Sequence, residues 1–116
     1  MSQTKSPREL QAEKIAKAND LLRTTMTQSK QNRVVFTAGV AHDPSLREIL
    51  WAVLAFKDFT PDKDPHGEHD FGKVTINGTD YFFKIDYYDD QFEYGLDPYE
   101  EEPVCRVLTI MRADEY

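Results

Sequence analysis

The chain has 116 residues, 40% of them hydrophobic and 30% charged, and a net charge of −7. That size and composition describe one globular domain with a single two-layer core, and exclude a disordered or fibrous chain. One cysteine, Cys105, excludes an internal disulfide and a four-cysteine zinc site.

No run nears the roughly 18 apolar residues that a membrane span needs. The first residues lack the apolar segment of a secretory signal, so a cytoplasmic protein is expected. The charge is unevenly spread. Residues 1–57 hold nine Lys/Arg and five Asp/Glu, a net of +4; residues 58–116 hold five and sixteen, a net of −11. So acidic a half repels nucleic acid and attracts basic surfaces.

Residues 1–5 are expected to fray. Ser6-Pro7-Arg8-Glu9 then reads as a helix start, with a capping serine, a proline at the first helical position and a glutamate three residues after the cap. Leu10, Ile15, Ala18, Leu22 and Met26 form one apolar stripe, which predicts a helix over 7–28. Lys14, Lys17 and Arg23 are placed on its exposed face. Arg33 to Thr37 is β-branched and aromatic, hence a short strand. Asp43-Pro44 repeats the helix-start signal, and Leu46, Ile49, Leu50, Val53 and Leu54 predict a second helix over 44–56, the more buried of the two.

Residues 57–70 read as a loop, because Thr60-Pro61 and Asp64-Pro65 disfavour helix. Phe71–Ile76 and Thr79–Tyr88 flank Asn77-Gly78, a strong hairpin signal. Tyr81, Phe83, Ile85 and Tyr87 share one face of the second strand; Phe82, Lys84, Asp86 and Tyr88 share the other. An acidic loop over 89–102 leads to a last strand, Val104 to Met111. The expected fold is a single α+β domain of two layers. Its antiparallel sheet comprises the three-strand C-terminal meander and one earlier short strand, packed by two helices. Spacing alone leaves the place of the first strand open.

Between the second helix and the hairpin lies Asp64-Pro65-His66-Gly67-Glu68-His69-Asp70-Phe71-Gly72. Imidazole and carboxylate together suit Zn²⁺ or Mn²⁺, with His66, His69 and Asp70 as ligands and His42 as a possible further one. Glu68 and His69 are the candidates for acid–base work. The spacing is not that of His-Glu-x-x-His. Asp62, Asp64 and Gly67 resemble the opening of a calcium loop, but position twelve is Lys73 where a glutamate is required. A structural reading competes, in which these side chains bond their own backbone amides. No nucleophile elbow, phosphate loop or dinucleotide fingerprint is present. Cys105, inside a strand, reads as core.

The second half offers a different chemistry. Eight carboxylates lie between residues 86 and 102, with no Lys or Arg among them. Carboxylates spaced along a strand and its loop can imitate the phosphate row of a duplex, and tyrosines add rigid contact area. The candidate contacts are Asp86, Tyr87, Tyr88, Asp89, Asp90, Glu93, Tyr94, Asp97, Glu100, Glu101 and Glu102.

Phe59-Thr60-Pro61-Asp62, the Asp64–Gly72 stretch, Phe83-Lys84-Ile85-Asp86-Tyr87-Tyr88-Asp89, Glu93-Tyr94-Gly95 and Arg106-Val107-Leu108-Thr109-Ile110-Met111, closing on Glu115-Tyr116, appear in that order. They resemble the bacterial family catalogued as domain of unknown function 3768, over about residues 33–116. The resemblance implies no established activity and transfers no catalytic residue. It does imply small genes carried on plasmids and other mobile elements, a setting that favours a role against host defence or in plasmid maintenance.

Two functions therefore compete. The first is a small acidic interaction protein, an inhibitor that occupies the basic surface of a nucleic-acid-binding defence protein. It needs no cofactor, no direct nucleic-acid contact and no membrane, and its edge strands leave a homo-oligomer open. The second is a metal-dependent, hydrolase-like enzyme built on the His66–Asp70 loop with Zn²⁺ or Mn²⁺. A weaker third, nucleic-acid binding by the basic first helix, runs against the overall acidity.

Overall fold

The computed structural model describes residues 4–100 and 104–116. Glu101 and Glu102 lie outside the described residues, as do residues 1–3 of the expected frayed start.

The first helix, α1, spans Pro7–Thr25. Both arms of its capping box form: Ser6 Oγ accepts from the Glu9 amide at 3.1 Å, and Glu9 Oε1 accepts from the Ser6 amide at 3.2 Å. The helix ends at Met26, whose backbone turns left-handed. Its buried face is Ala12, Ile15, Ala16, Asn19, Leu22 and Arg23. Two corrections follow. Arg23 is not on the exposed face but 4% exposed, and Leu10, expected in the apolar stripe, is 51% exposed. Polar residues 19 and 23 continue the stripe, because polar partners wait for them inside.

Strand β1 is Asn32–Phe36, and a four-residue helix, α2, spans Ala38–Ala41. Glu115 caps it from the far end of the chain: Oε2 accepts from the Gly39 amide at 3.0 Å, and Oε1 accepts from the Thr37 hydroxyl. Helix α3 runs Leu46–Leu54. It is not the more buried helix. Ile49 and Val53 are sealed, but Trp51 is 69% exposed, because nine residues turn only one narrow stripe to the sheet.

The hairpin forms as expected, with β2 at Phe71–Ile76 and β3 at Thr79–Tyr88, and β4 follows at Cys105–Arg112. The strand order is β1-β4-β3-β2. β2, β3 and β4 are antiparallel neighbours, but β1 lies parallel to β4, Val34 beside Leu108. The sheet is thus mixed, and the fully antiparallel sheet expected above is corrected at one edge. The long crossover from β1 to β4, which contains α3 and the hairpin, permits a parallel pair where a tight turn could not.

The helices cover one sheet face. Tyr81, Phe83 and Ile85 of β3, with Leu108 and Ile110 of β4, pack against Leu22, Val40, Ile49 and Val53. Gly72 is required by this packing. A Cβ there would stand 2.3 Å from the Phe83 ring and 2.8 Å from that of Phe56. The opposite sheet face is open, with Phe71, Phe82 and Tyr116 in edge and tilted contacts and a Lys84–Asp86 ion pair at 2.8 Å. Among the described residues no helix is long and apolar enough to cross a membrane.

Candidate functional site

The central loop is clasped to α1. Asp64 organises it from within: Oδ1 accepts from the Glu68 amide and Oδ2 from the His69 amide, each at 3.2 Å. His69 is thereby held at φ +57°, a left-handed conformation rare for residues other than glycine. Its ring lies flat on Phe59, with centroids 4.0 Å apart and planes 4° from parallel. Nδ1 sits 3.0 Å from both carboxylate oxygens of Asp20, and Nε2 sits 3.7 Å from Oδ2 of Asp64.

Asn19, next to Asp20, and Arg23, one turn further on, add to these contacts from α1. Asn19, fully buried, donates through Nδ2 to the Glu68 carbonyl at 2.9 Å and the Tyr87 hydroxyl at 2.8 Å. Its Oδ1 accepts from Arg106 Nε at 2.9 Å. Arg23 reaches past Asp20 to the end of α3, where Nη1 donates to the carbonyls of Val53 and Leu54, both at 2.9 Å. A guanidinium at a helix C-terminus satisfies carbonyls that lack an intrahelical partner and complements the helix dipole.

The carboxylates facing this cluster are perturbed by burial. Asp70 is held above the usual carboxylate range by desolvation, against a Tyr87 hydrogen bond that acts the other way. Glu68 is raised too, again chiefly by burial and next by the Asp70 charge, against a nearby Tyr99 hydroxyl that acts the other way. Burial likewise keeps the Tyr87 phenol protonated. Tyr99 sits under Arg8 of α1, 3.9 Å from guanidinium carbon to ring centre. The loop before β2 and the loop between β3 and β4 are therefore both tied to the first helix.

The expected site residues separate on this frame. Glu68, His69 and Asp70 come together, but His66 is exposed. His42 adjoins Asp43, whose carboxylate takes the Tyr81 hydroxyl at the hairpin end of β3; the His69 loop meets β3 at Ile85. Four strand residues separate those points, about 13 Å. Among the described residues no three His, Cys, Asp or Glu side chains are placed to hold a metal ion. A general base also needs one ring nitrogen turned to its substrate, and both nitrogens of His69 face carboxylates. Cys105 is buried in the core, as expected, and burial pushes its thiol up.

The acidic loop is organised differently. Asp89 Oδ1 accepts from the amides of Gln91, Glu93 and Tyr94, at 2.9 to 3.4 Å. The Asp89 amide donates back to the Tyr94 carbonyl, and Leu96 to the Tyr87 carbonyl. Phe92 turns left-handed and lies under Arg33, 3.7 Å from guanidinium carbon to ring centre. Asp97 caps Tyr99 in the same manner. Asp90, Glu93, Tyr94 and Glu100 are left exposed, Tyr94 by 70%. Asp86 is paired with Lys84, and Tyr88 is half-buried near Phe92. Tyr87 points into the helix layer, where Asn19 and Asp70 hold it, and is removed from the contact set.

Sequence reasoning missed Asn19, Asp20 and Arg23. Their signal was the spacing: positions 12, 15, 16, 19, 22 and 23 follow one helical stripe, polar or not.

A two-layer α+β domain with a polar clasp and a stiffened acidic loop defines the class. The chain belongs to the family described as "Protein of unknown function (DUF3768)", which matches residues 4–115. The match takes in α1, whereas the resemblance noted above began at about residue 33, so the clasp lies wholly within the family's span. No curated protein and no solved structure matches the chain.

Proposed function

We propose that the chain is a non-enzymatic interaction protein of the cytoplasm whose acidic loop occupies the basic surface of a nucleic-acid-binding protein. The observation that carries this is the loop at 89–95. Three amide bonds to one carboxylate hold it in shape, while Asp90, Glu93 and Tyr94 face solvent. A surface ordered before binding loses less entropy on docking, and an exposed tyrosine among carboxylates suits a basic groove. Such a surface stands in for a phosphate row and makes the protein an inhibitor by competition. The mobile-element setting implied by the family resemblance favours a host defence protein as the target.

The test neutralises the exposed loop with Asp90→Asn, Glu93→Gln and Glu100→Gln, together with Tyr94→Ala. The expected result is an unchanged circular dichroism spectrum, with loss of basic partners from a bacterial lysate. Capture of wild-type protein should fall with salt and with added duplex DNA. Equal capture by the neutralised variant would remove the reading.

A further inference from the structure

The sheet has two edges, and they differ. At β1 the first half of the outward backbone is covered: the Asn32 amide donates to Ser29 Oγ at 3.2 Å, the Ser29 amide to the Asn32 carbonyl at 2.9 Å, and the Val34 amide to Gln28 Oε1 at 3.4 Å. At β2 no such cover exists among the described residues. The Ile85 amide donates to the Asp70 carbonyl. With Phe71 opposite Lys84, that bond makes Gly72, Val74 and Ile76 the residues bonded to β3. Phe71, Lys73 and Thr75 therefore turn their amides and carbonyls outward, and all three are exposed.

Beside this edge lies a hollow of about 330 Å³, lined by Phe56, Asp58, Lys63, Phe71, Gly72, Lys73 and Phe82. Its charge is distinctive. Residues 58–116 hold five cations. Lys63 pairs with Asp58, Lys84 with Asp86 and Arg112 with Asp114, and Arg106 donates to Asn19. Lys73 alone of the five has no hydrogen-bond or ion-pair partner among the described residues, and it stands on the open strand.

We infer that the β2 edge is a docking site for an extended acidic peptide segment of a partner protein, which adds as a fifth strand. Its backbone would take the outward groups of Phe71, Lys73 and Thr75. A carboxylate directly opposite Lys73 would share that residue's face, and the adjacent apolar side chain would fall on the other face, against Phe56. The recognised pattern is thus acidic and apolar residues in alternation. A second copy of this chain fits poorly, because two-fold pairing centred on β2 sets Lys73 opposite Lys73.

A random decapeptide library displayed against the full chain supplies the test, followed by amide hydrogen exchange with the selected peptides. Enrichment of alternating acidic sequences is expected, with at least tenfold slower exchange at Phe71, Lys73 and Thr75. Lys73→Pro should abolish both effects, since proline on an outward edge position removes a donor and spares the inner ladder. Lys73→Glu, which keeps the backbone, should shift selection toward basic peptides. The idea is overturned by any of three results: no enrichment, enrichment indifferent to Lys73→Glu, or protection of these amides by concentration-dependent self-association without peptide.

Discussion

Replacing Asn19 by alanine tests whether the clasp holds the fold together. The side chain is fully buried and makes three hydrogen bonds, two to neutral acceptors and one from a guanidinium. Each neutral bond contributes about 1 kcal/mol and the charged one about 1.5–3 kcal/mol. Water entering the vacated space returns part of this, leaving an expected loss of about 3 kcal/mol. With a urea slope of about 1.5 kcal/mol per molar, the midpoint should fall by about 2 M. Far-UV circular dichroism is the suitable probe, because Trp51 is 69% exposed and its fluorescence reports little burial. Tyr87→Phe deletes a hydroxyl bonded to Asn19, so the double variant should be non-additive by at least 0.5 kcal/mol, roughly the lower bound for residues in contact. An Asn19→Ala loss below about 1 kcal/mol, the value of one ordinary hydrogen bond, or strict additivity with Tyr87→Phe, would refute the clasp.

Gly72→Ala forces a Cβ into the rings of Phe83 and Phe56 and should cost about 1–3 kcal/mol, lowering the melting temperature by roughly 5–15 °C in a scan. Arg23→Met strands the Leu54 carbonyl, leaves that of Val53 only the Phe56 amide at 3.3 Å, and should cost about 2–4 kcal/mol by urea titration. Asp70 and Glu68 carry raised pKa values, so the fold binds their protons more tightly than the unfolded chain does. Their contribution is fully present below the unfolded values of 3.8 and 4.5 and is lost as pH rises through the raised ones. Relative to wild type, Asp70→Asn with Glu68→Gln should therefore gain stability as pH rises above the unfolded values of 3.8 and 4.5, which a series of denaturation curves from acid to neutral pH will show. Asp43 and Glu115, depressed by hydrogen bonds, act oppositely and lose their contribution only as pH falls below about 4. Adding Zn²⁺ or Mn²⁺ should leave the melting temperature unchanged; a saturable rise that His69→Ala removes would restore the metal reading.

What was legible in the chain was local. The Ser6–Glu9 box, the Asn77-Gly78 turn and the alternation of Tyr81, Phe83 and Ile85 are decided by residues within a few positions of one another. The parallel seat of β1 was not legible, because Val34 meets Leu108 only after the whole hairpin has folded between them. The clasp was half legible. Asp64, Glu68, His69 and Asp70 drew attention by their types, but Asp20 lies 49 residues from His69. Arg23 was placed on the exposed face because polarity was taken for exposure, and Asn19 drew no attention. Catalytic chemistry was inferred from residue types alone; what types cannot show is that Nδ1 of His69 bonds Asp20 and Nε2 lies 3.7 Å from Asp64.

The central claim is that the His69 loop builds the domain while the acidic loop meets the partner. One parallel capture experiment tests it, with His69→Ala beside the variant neutralised at Asp90, Glu93 and Glu100. Both are assayed at a temperature where each is folded. The account expects His69→Ala, though less stable, to retain the wild-type set of basic partners, and the neutralised variant to lose it. Loss with His69→Ala and retention by the neutralised loop would contradict it.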